Sequence, residues 1–152
     1  NDLPMTIINL SGRTFMPALD CPFKVVDKLL EKLNKNSKIV VVDFHAEATS
    51  EKLAMGWFLD GRVSLVVGTH THVQTADERI LPNGTGYITD LGMTGPTDSI
   101  LGVEKERVIQ KFVTRLPVKF EVAKGSAQFN AIVAIIDEKS GKTVSLERIF
   151  LR

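Results

Sequence analysis

The chain has 152 residues, 43% of them hydrophobic and 24% charged, with a formal net charge of +1. That size and balance fit one globular domain with its own core, and the small net charge excludes a global attraction to nucleic acid or an anionic membrane surface. No apolar run approaches the ~18 residues of a membrane helix, no signal-peptide pattern opens the chain, and the lone Cys21 has no internal partner, which fits a reducing cytoplasm.

The opening Asn1-Asp2-Leu3-Pro4 has no initiator Met and little lead before the first strand, and reads as a cut end. Met5-Thr6-Ile7-Ile8-Asn9-Leu10 reads as a buried strand, broken by Ser11-Gly12-Arg13. Residues 14–22, with Pro17 and Pro22, read as loop. From about Pro22 to Leu33, Val26, Leu29, Leu30 and Leu33 fall at i, i+3, i+4 and i+7 and predict an amphipathic helix. Asn34-Lys35-Asn36-Ser37 then predicts a turn into an Ile39–Phe44 strand, apolar on both faces as in the middle of a covered sheet. Thr49 or Ser50 is the expected cap of the next helix, with Glu51 in its first turn. Leu53, Ala54, Trp57 and Phe58 form its expected apolar stripe, which makes Trp57 a core residue, and Gly61 suits its C-terminal cap.

Val63 to Val67 predicts the next strand, so residues 39–67 form a strand–helix–strand unit whose strands run parallel. Turn formers crowd residues 73–100; Asn83-Gly84 is expected to turn Arg79-Ile80-Leu81 into a short strand at Tyr87-Ile88-Thr89-Asp90. Gly92 to Pro96 reads as a turn and not a phosphate loop, because no Gly-Lys-Ser/Thr follows. A last helix is expected from about Val103 to Arg115, with Val108, Ile109, Phe112 and Val113 inward, ended by Leu116-Pro117. Three strands, Val118–Ala123, Gln128–Ile136 and Thr143–Leu151, complete a meander expected to pack into the core as scaffold.

All three histidines of the chain follow hydrophobic strands. His45 closes Ile39–Phe44, while His70 and His72 follow Leu65-Val66-Val67 within Gly68-Thr69-His70-Thr71-His72. Parallel α/β sheets place their sites at the carboxyl ends of strands, and residues two apart on extended backbone point to one side. His45, His70 and His72 are therefore candidate metal ligands, neutral imidazole being the commonest protein ligand. Two nearby chemistries fail on detail. A metallo-β-lactamase pattern wants Asp-His soon after His72, where Val73-Gln74-Thr75 stands. An amidohydrolase barrel needs eight strand–helix units, more than 152 residues can build.

The metallophosphoesterase motif, a late strand ending in Gly-x-His or Gly-His-x-His and preceded by a strand ending in a single His, fits this arrangement. Val42-Asp43-Phe44-His45-Ala46-Glu47-Ala48-Thr49-Ser50-Glu51-Lys52, Gly68–Thr75 and Ile88–Pro96 resemble the bacterial calcineurin-like phosphodiesterases described as acting on 2′,3′-cyclic nucleotides. The resemblance runs over essentially the whole chain but covers only the carboxyl-terminal portion of that family. It implies an α/β fold, the calcineurin-like sandwich with α-β-β-α layers, of which residues 1–152 form one domain. By it His45 and His70 would bind one ion of a dinuclear centre and His72 the other, with Fe or Mn favoured over Zn. The remaining ligands and the proton-donating His lie in amino-terminal motifs, so no catalytic residue carries over; Asp43 and Glu47 match non-ligand positions and read as structural.

The resemblance further implies a cytoplasmic phosphodiesterase completed by an amino-terminal segment, with a small phosphodiester or cyclic nucleotide as substrate, no membrane partner, and an isolated chain that is inactive. An apolar face left open would favour homo-oligomers. The reading from another class is a non-catalytic fragment or nucleotide- or phosphate-binding module using the same crevice.

Overall fold

A computed structural model describes residues 3–33 and 37–152; the expected turn at Asn34, Lys35 and Asn36 lies outside the described residues. Strand β1 (Met5–Ser11) leads through helix α1 (Pro22–Lys32) to β2 (Ile39–His45), and helix α2 (Thr49–Leu59) leads on to β3 (Leu65–Thr69). Two short strands follow, β4 (Arg79–Ile80) and β5 (Gly86–Ile88), then β6 (Gly95–Pro96), helix α3 (Lys105–Thr114), and the long pair β7 (Ala127–Ile136) and β8 (Thr143–Leu151). The first five strands make one sheet in the order β1-β2-β3-β5-β4, and β6-β7-β8 make a second. β1, β2, β3 and β5 run parallel, as the strand–helix–strand reading requires, and β4 joins β5 antiparallel through the Asn83-Gly84 turn.

The two faces of the parallel sheet are covered differently. On one, Ile8, Leu10, Val42, Phe44 and Val66 pack with Val26 of α1 and with Met55 and Leu59 of α2. On the other, Leu65, Val67 and Ile88 meet Ile132 and Ala134 of β7 and Leu146 of β8. The fold is a mixed α/β arrangement with few helices. Gly68 lets β3 come close to the chain after β5: a Cβ there would lie 1.7 Å from the Thr89 carbonyl oxygen, a contact only glycine avoids.

Several expectations are corrected here. β1 is buried on one face only: it lies at the sheet edge, with Ile8 and Leu10 in the core but Met5 exposed and Ile7 67% exposed on its open face. Neither Thr49 nor Ser50 caps α2; Ala48 holds the N-cap position without a side-chain bond, and Asp60 is the C-cap, followed by Gly61 at φ 79°. The buried face of α2 lies on the side of the helix opposite the expected stripe and consists of Lys52, Met55, Gly56 and Leu59. Gly56 decides that rotation, because a Cβ would sit 2.5 Å from the buried Tyr87 ring. Trp57 is consequently 52% exposed, with the Arg79 guanidinium over its ring at 5.4 Å.

In α3 only Val108 is buried, whereas Ile109, Phe112 and Val113 are exposed. No layer comparable to the two sheets covers that side of the helix among the described residues. Glu104 holds its N-cap without a side-chain bond. Residues 118–123 form no strand, only a single bridge between Val122 and Val103. β7 and β8 bury one face each: Phe129, Val133, Ile135 and Leu151 stay exposed on the outside.

Candidate functional site

The sheet register brings the histidines together. His45 is the last residue of β2 and pairs with Thr69, the last of β3, while Asn9 of β1 pairs with Asp43. Side chains two apart on a strand share a face, so Asp43 and His45 both stand on the face of β2 turned away from the helices. The Asn9 amide donates to Asp43 Oδ2 at 2.7 Å, and the Thr69 hydroxyl donates to Asp43 Oδ1 at 2.8 Å. With its hydrogen given to Asp43, Thr69 Oγ1 can only accept from His45 Nδ1, 3.1 Å away. That fixes the hydrogen of His45 on Nδ1 and leaves a lone pair on Nε2.

His70 presents the matching case. Its Nε2 lies 2.8 Å from Glu47 Oε2, and a carboxylate oxygen only accepts. The hydrogen of the neutral ring therefore belongs on Nε2, and the lone pair is on Nδ1. Nδ1 of His70 is 2.9 Å from Nε2 of His45, with the rings edge to face at 4.7 Å between centroids. Two neutral imidazoles in these tautomers would point lone pair at lone pair. A cation between them, a shared proton or a metal ion, removes that repulsion.

His72 is placed elsewhere. Beyond Thr69 the backbone leaves the strand, and both His70 (φ 113°) and His72 (φ 65°) take positive φ values. The expectation that they share one side of an extended strand therefore fails. His72 is exposed and lines a neighbouring cavity instead. Among the described residues no group of three or more His, Cys, Asp and Glu is arranged to hold a metal ion. The structure pairs His45 with His70 and leaves His72 apart.

The loop that carries His70 and His72 is tied down by Asp90. Its Oδ2 accepts from the Thr71 backbone N–H at 3.0 Å, the Thr71 hydroxyl at 2.7 Å and Lys52 Nζ at 2.7 Å, and its Oδ1 accepts from the Gly92 N–H at 2.9 Å. Both charged side chains are 1% exposed. Burial pushes the Asp90 carboxyl up, but the bonds from Lys52, Thr71 and Gly92 outweigh it and hold the group below the usual carboxylate range. Non-glycine residues at positive φ are strained unless their surroundings hold them, and Asp90 holds Thr71, the residue between the two histidines.

Sequence reasoning left Asp43 and Glu47 as structural and did not single out Asp90 or Lys52. A signal for Asp43 was available: it sits two residues before His45, the spacing that keeps strand side chains on one face, whereas Glu47 lies past the end of β2. Asp90 follows the short strand β5 as the histidines follow β2 and β3.

Comparison with known proteins identifies the family of the chain. The family model of YmdB-like proteins matches residues 1–149, and the chain belongs to that family. It is 56% identical over 151 residues to a protein of Bacillus subtilis (strain 168) named 2′,3′-cyclic-nucleotide 2′-phosphodiesterase, covering 99% of this chain and 57% of that protein. A putative phosphatase/phosphodiesterase of Mycoplasma pneumoniae is 43% identical over 129 residues, 84% of this chain and 45% of that one. Among solved structures, a hypothetical protein from Thermus thermophilus superposes with a TM-score of 0.89 at 44% identity, over 95% of this chain and 56% of that one. A novel phosphatase from Mycoplasma pneumoniae gives 0.87 at 42% identity, over 95% and 52%. The chain thus spans about half the length of the relatives it matches.

Proposed function

We propose that this chain is the carboxyl-terminal part of a calcineurin-like, metal-dependent phosphodiesterase acting on 2′,3′-cyclic nucleotides, with His45, His70 and His72 as metal ligands. The carrying observation is the pair of facing imidazole lone pairs. Their 2.9 Å separation is close to the ~3.0 Å expected between neighbouring ligands on a six-coordinate ion with bonds of about 2.1 Å. A tetrahedral ion would want a wider spacing, which favours Fe or Mn over Zn. The supporting partners also fit: ligating histidines donate their second N–H to a carboxylate or another acceptor, as His70 is placed to do toward Glu47 and His45 toward Thr69 and Asp43.

Metal ions at such a centre activate water and neutralise phosphate charge. The residues of this chain would hold and orient: His45 and His70 on one ion, His72 on a second, and Asp43 and Glu47 fixing the tautomers. The other ligands and the proton donor belong to an amino-terminal segment of the family. The exposed apolar residues Met5 and Ile7 of β1, and Phe129, Val133, Ile135 and Leu151 outside β7 and β8, offer surface for such a segment to cover.

Metal analysis of the purified chain, alone and combined with the amino-terminal portion its relatives carry, tests this reading alongside hydrolysis of bis-p-nitrophenyl phosphate. Hydrolysis is expected only in the combination, and His45→Ala plus His70→Ala should abolish metal uptake by the chain. Uptake unchanged in that double variant would defeat the assignment.

A further inference from the structure

The second sheet does more than close the core. The inward faces of β7 and β8 pack on the parallel sheet through Ile132, Ala134 and Leu146. At the end near the strand tips the same face continues as Gln128 and Asn130 on β7 and Arg148 and Phe150 on β8. These side chains, with Gln74 and His72, line a cavity of about 280 Å³, close to the lower end of the range of roughly 300 Å³ and above for small-molecule sites. The larger cavity beside α3, about 560 Å³, is lined almost wholly by charged side chains and shares no lining residue with the histidine cluster.

The lining has the character of a nucleoside site. The half-exposed Phe150 ring has the Arg152 guanidinium over it at 4.8 Å, a flat platform of the kind on which bases stack. Gln74 and Asn130 are fixed amides. Gln74 Nε2 donates to the carbonyls of Ala131 and Ile149 at 3.1 Å each, and Asn130 Nδ2 donates to the Met93 carbonyl at 2.7 Å. Both N–H groups of Gln74 are therefore engaged, and one of the two of Asn130. Gln74 Oε1, Asn130 Oδ1 and the nearby Thr97 Oγ1 are buried with no bonding partner among the described residues. Buried acceptors without donors are costly, and all three belong to residues that line this cavity, so a ligand that brings N–H or O–H groups would suit them. A nucleobase with a ring N–H or exocyclic amine, attached to a ribose, has that chemistry and a stacking face as well.

We infer that this cavity binds the nucleoside portion of the substrate, with Phe150 stacking on the base and Gln74 and Asn130 reading its hydrogen-bond donors. The inference rests on the phosphodiesterase reading above. A phosphate held at His72 has its nucleoside beside this lining, so one molecule spans the metal ligands and the second sheet. Specificity for a nucleotide over a simple phosphodiester then comes from residues 128–152.

The test uses the chain as it is, in chelator, so that metal binding plays no part. Adenosine and, separately, ribose 5-phosphate are titrated while side-chain amide signals of Gln74, Gln128 and Asn130 are followed by NMR. Adenosine should shift them saturably and ribose 5-phosphate should not. Phe150→Ala should weaken adenosine binding roughly tenfold, and Phe150→Leu, which keeps an apolar side chain but no ring, should weaken it similarly. Amide signals unmoved by adenosine, or moved equally by ribose 5-phosphate, would overturn the inference, as would equal binding by all three proteins. Metal uptake with no adenosine binding sinks the nucleoside cleft alone; adenosine binding without metal uptake sinks the metal reading and leaves the cleft.

Discussion

At the residue scale the informative feature is which nitrogen of each imidazole carries the hydrogen. Thr69 and Asp43 decide it for His45, and Glu47 decides it for His70. Glu47→Ala frees the His70 ring to take either tautomer and to rotate. Loss of such a supporting partner typically costs 10–100-fold in metal affinity, and a decrease of at least tenfold is expected here by competition with a chromophoric chelator. Unfolding of the variant should be little changed, because Glu47 is exposed and surface ion pairs contribute only about 0–1 kcal/mol. A metal affinity equal to that of the parent chain would remove Glu47 from the site.

At the element scale the sheet delivers His45 and Thr69 side by side, but the segment after β3 is held by contacts distant in sequence. Lys52 of α2 and Asp90 after β5 form a buried pair that reaches Thr71. Buried pairs of this kind are weak contributors to net stability, yet breaking one leaves an uncompensated charge. Asp90→Ala should therefore destabilise the chain by about 3–5 kcal/mol in urea unfolding. Adding Lys52→Met should restore much of that loss. Metal affinity should stay reduced in the double variant, because nothing then fixes Thr71 between the two histidines. Full recovery of both properties would mean that the pair serves packing alone. The α2 helix carries the same lesson: periodicity found a helix in the right place, but Gly56 against Tyr87 and Lys52 toward Asp90 decided which face turned inward.

At the scale of the whole molecule, two carboxyl groups link stability to pH. In Asp77, as in Asp90, burial acts to raise the pKa and is outweighed by hydrogen bonds, from Thr75 and Thr89 for Asp77, so both groups lie below the ordinary range. A depressed folded-state pKa contributes stability that is fully present above the unfolded value, about 3.9, and is lost as pH falls through the folded value. Stability in urea should accordingly be flat with respect to these groups near neutrality and should fall below about pH 4. Asp77→Asn should flatten the acid limb. A variant with the parent's acid profile would show that Asp77 does not link protonation to folding.

Much of the fold was legible because it depends on local chemistry. β-branched runs marked β2 and β3, Pro22 and the Val26–Leu33 spacing marked α1, and the crossover through α2 dictated a parallel pair. From that alone His45 and His70 fall at neighbouring strand tips. What the sequence could not determine depends on long-range contacts and on backbone leaving its regular period. The open face of β1, the rotation of α2, the exposed side of α3 and the positive φ values at His70 and His72 all belong there. The strand period of two ends at Thr69, and past that point side-chain direction is set by Asp90 and its partners. Sequence by itself therefore located the imidazoles, whereas only the tertiary structure decided which two meet, through which nitrogens, and that the third faces the cavity beneath the second sheet.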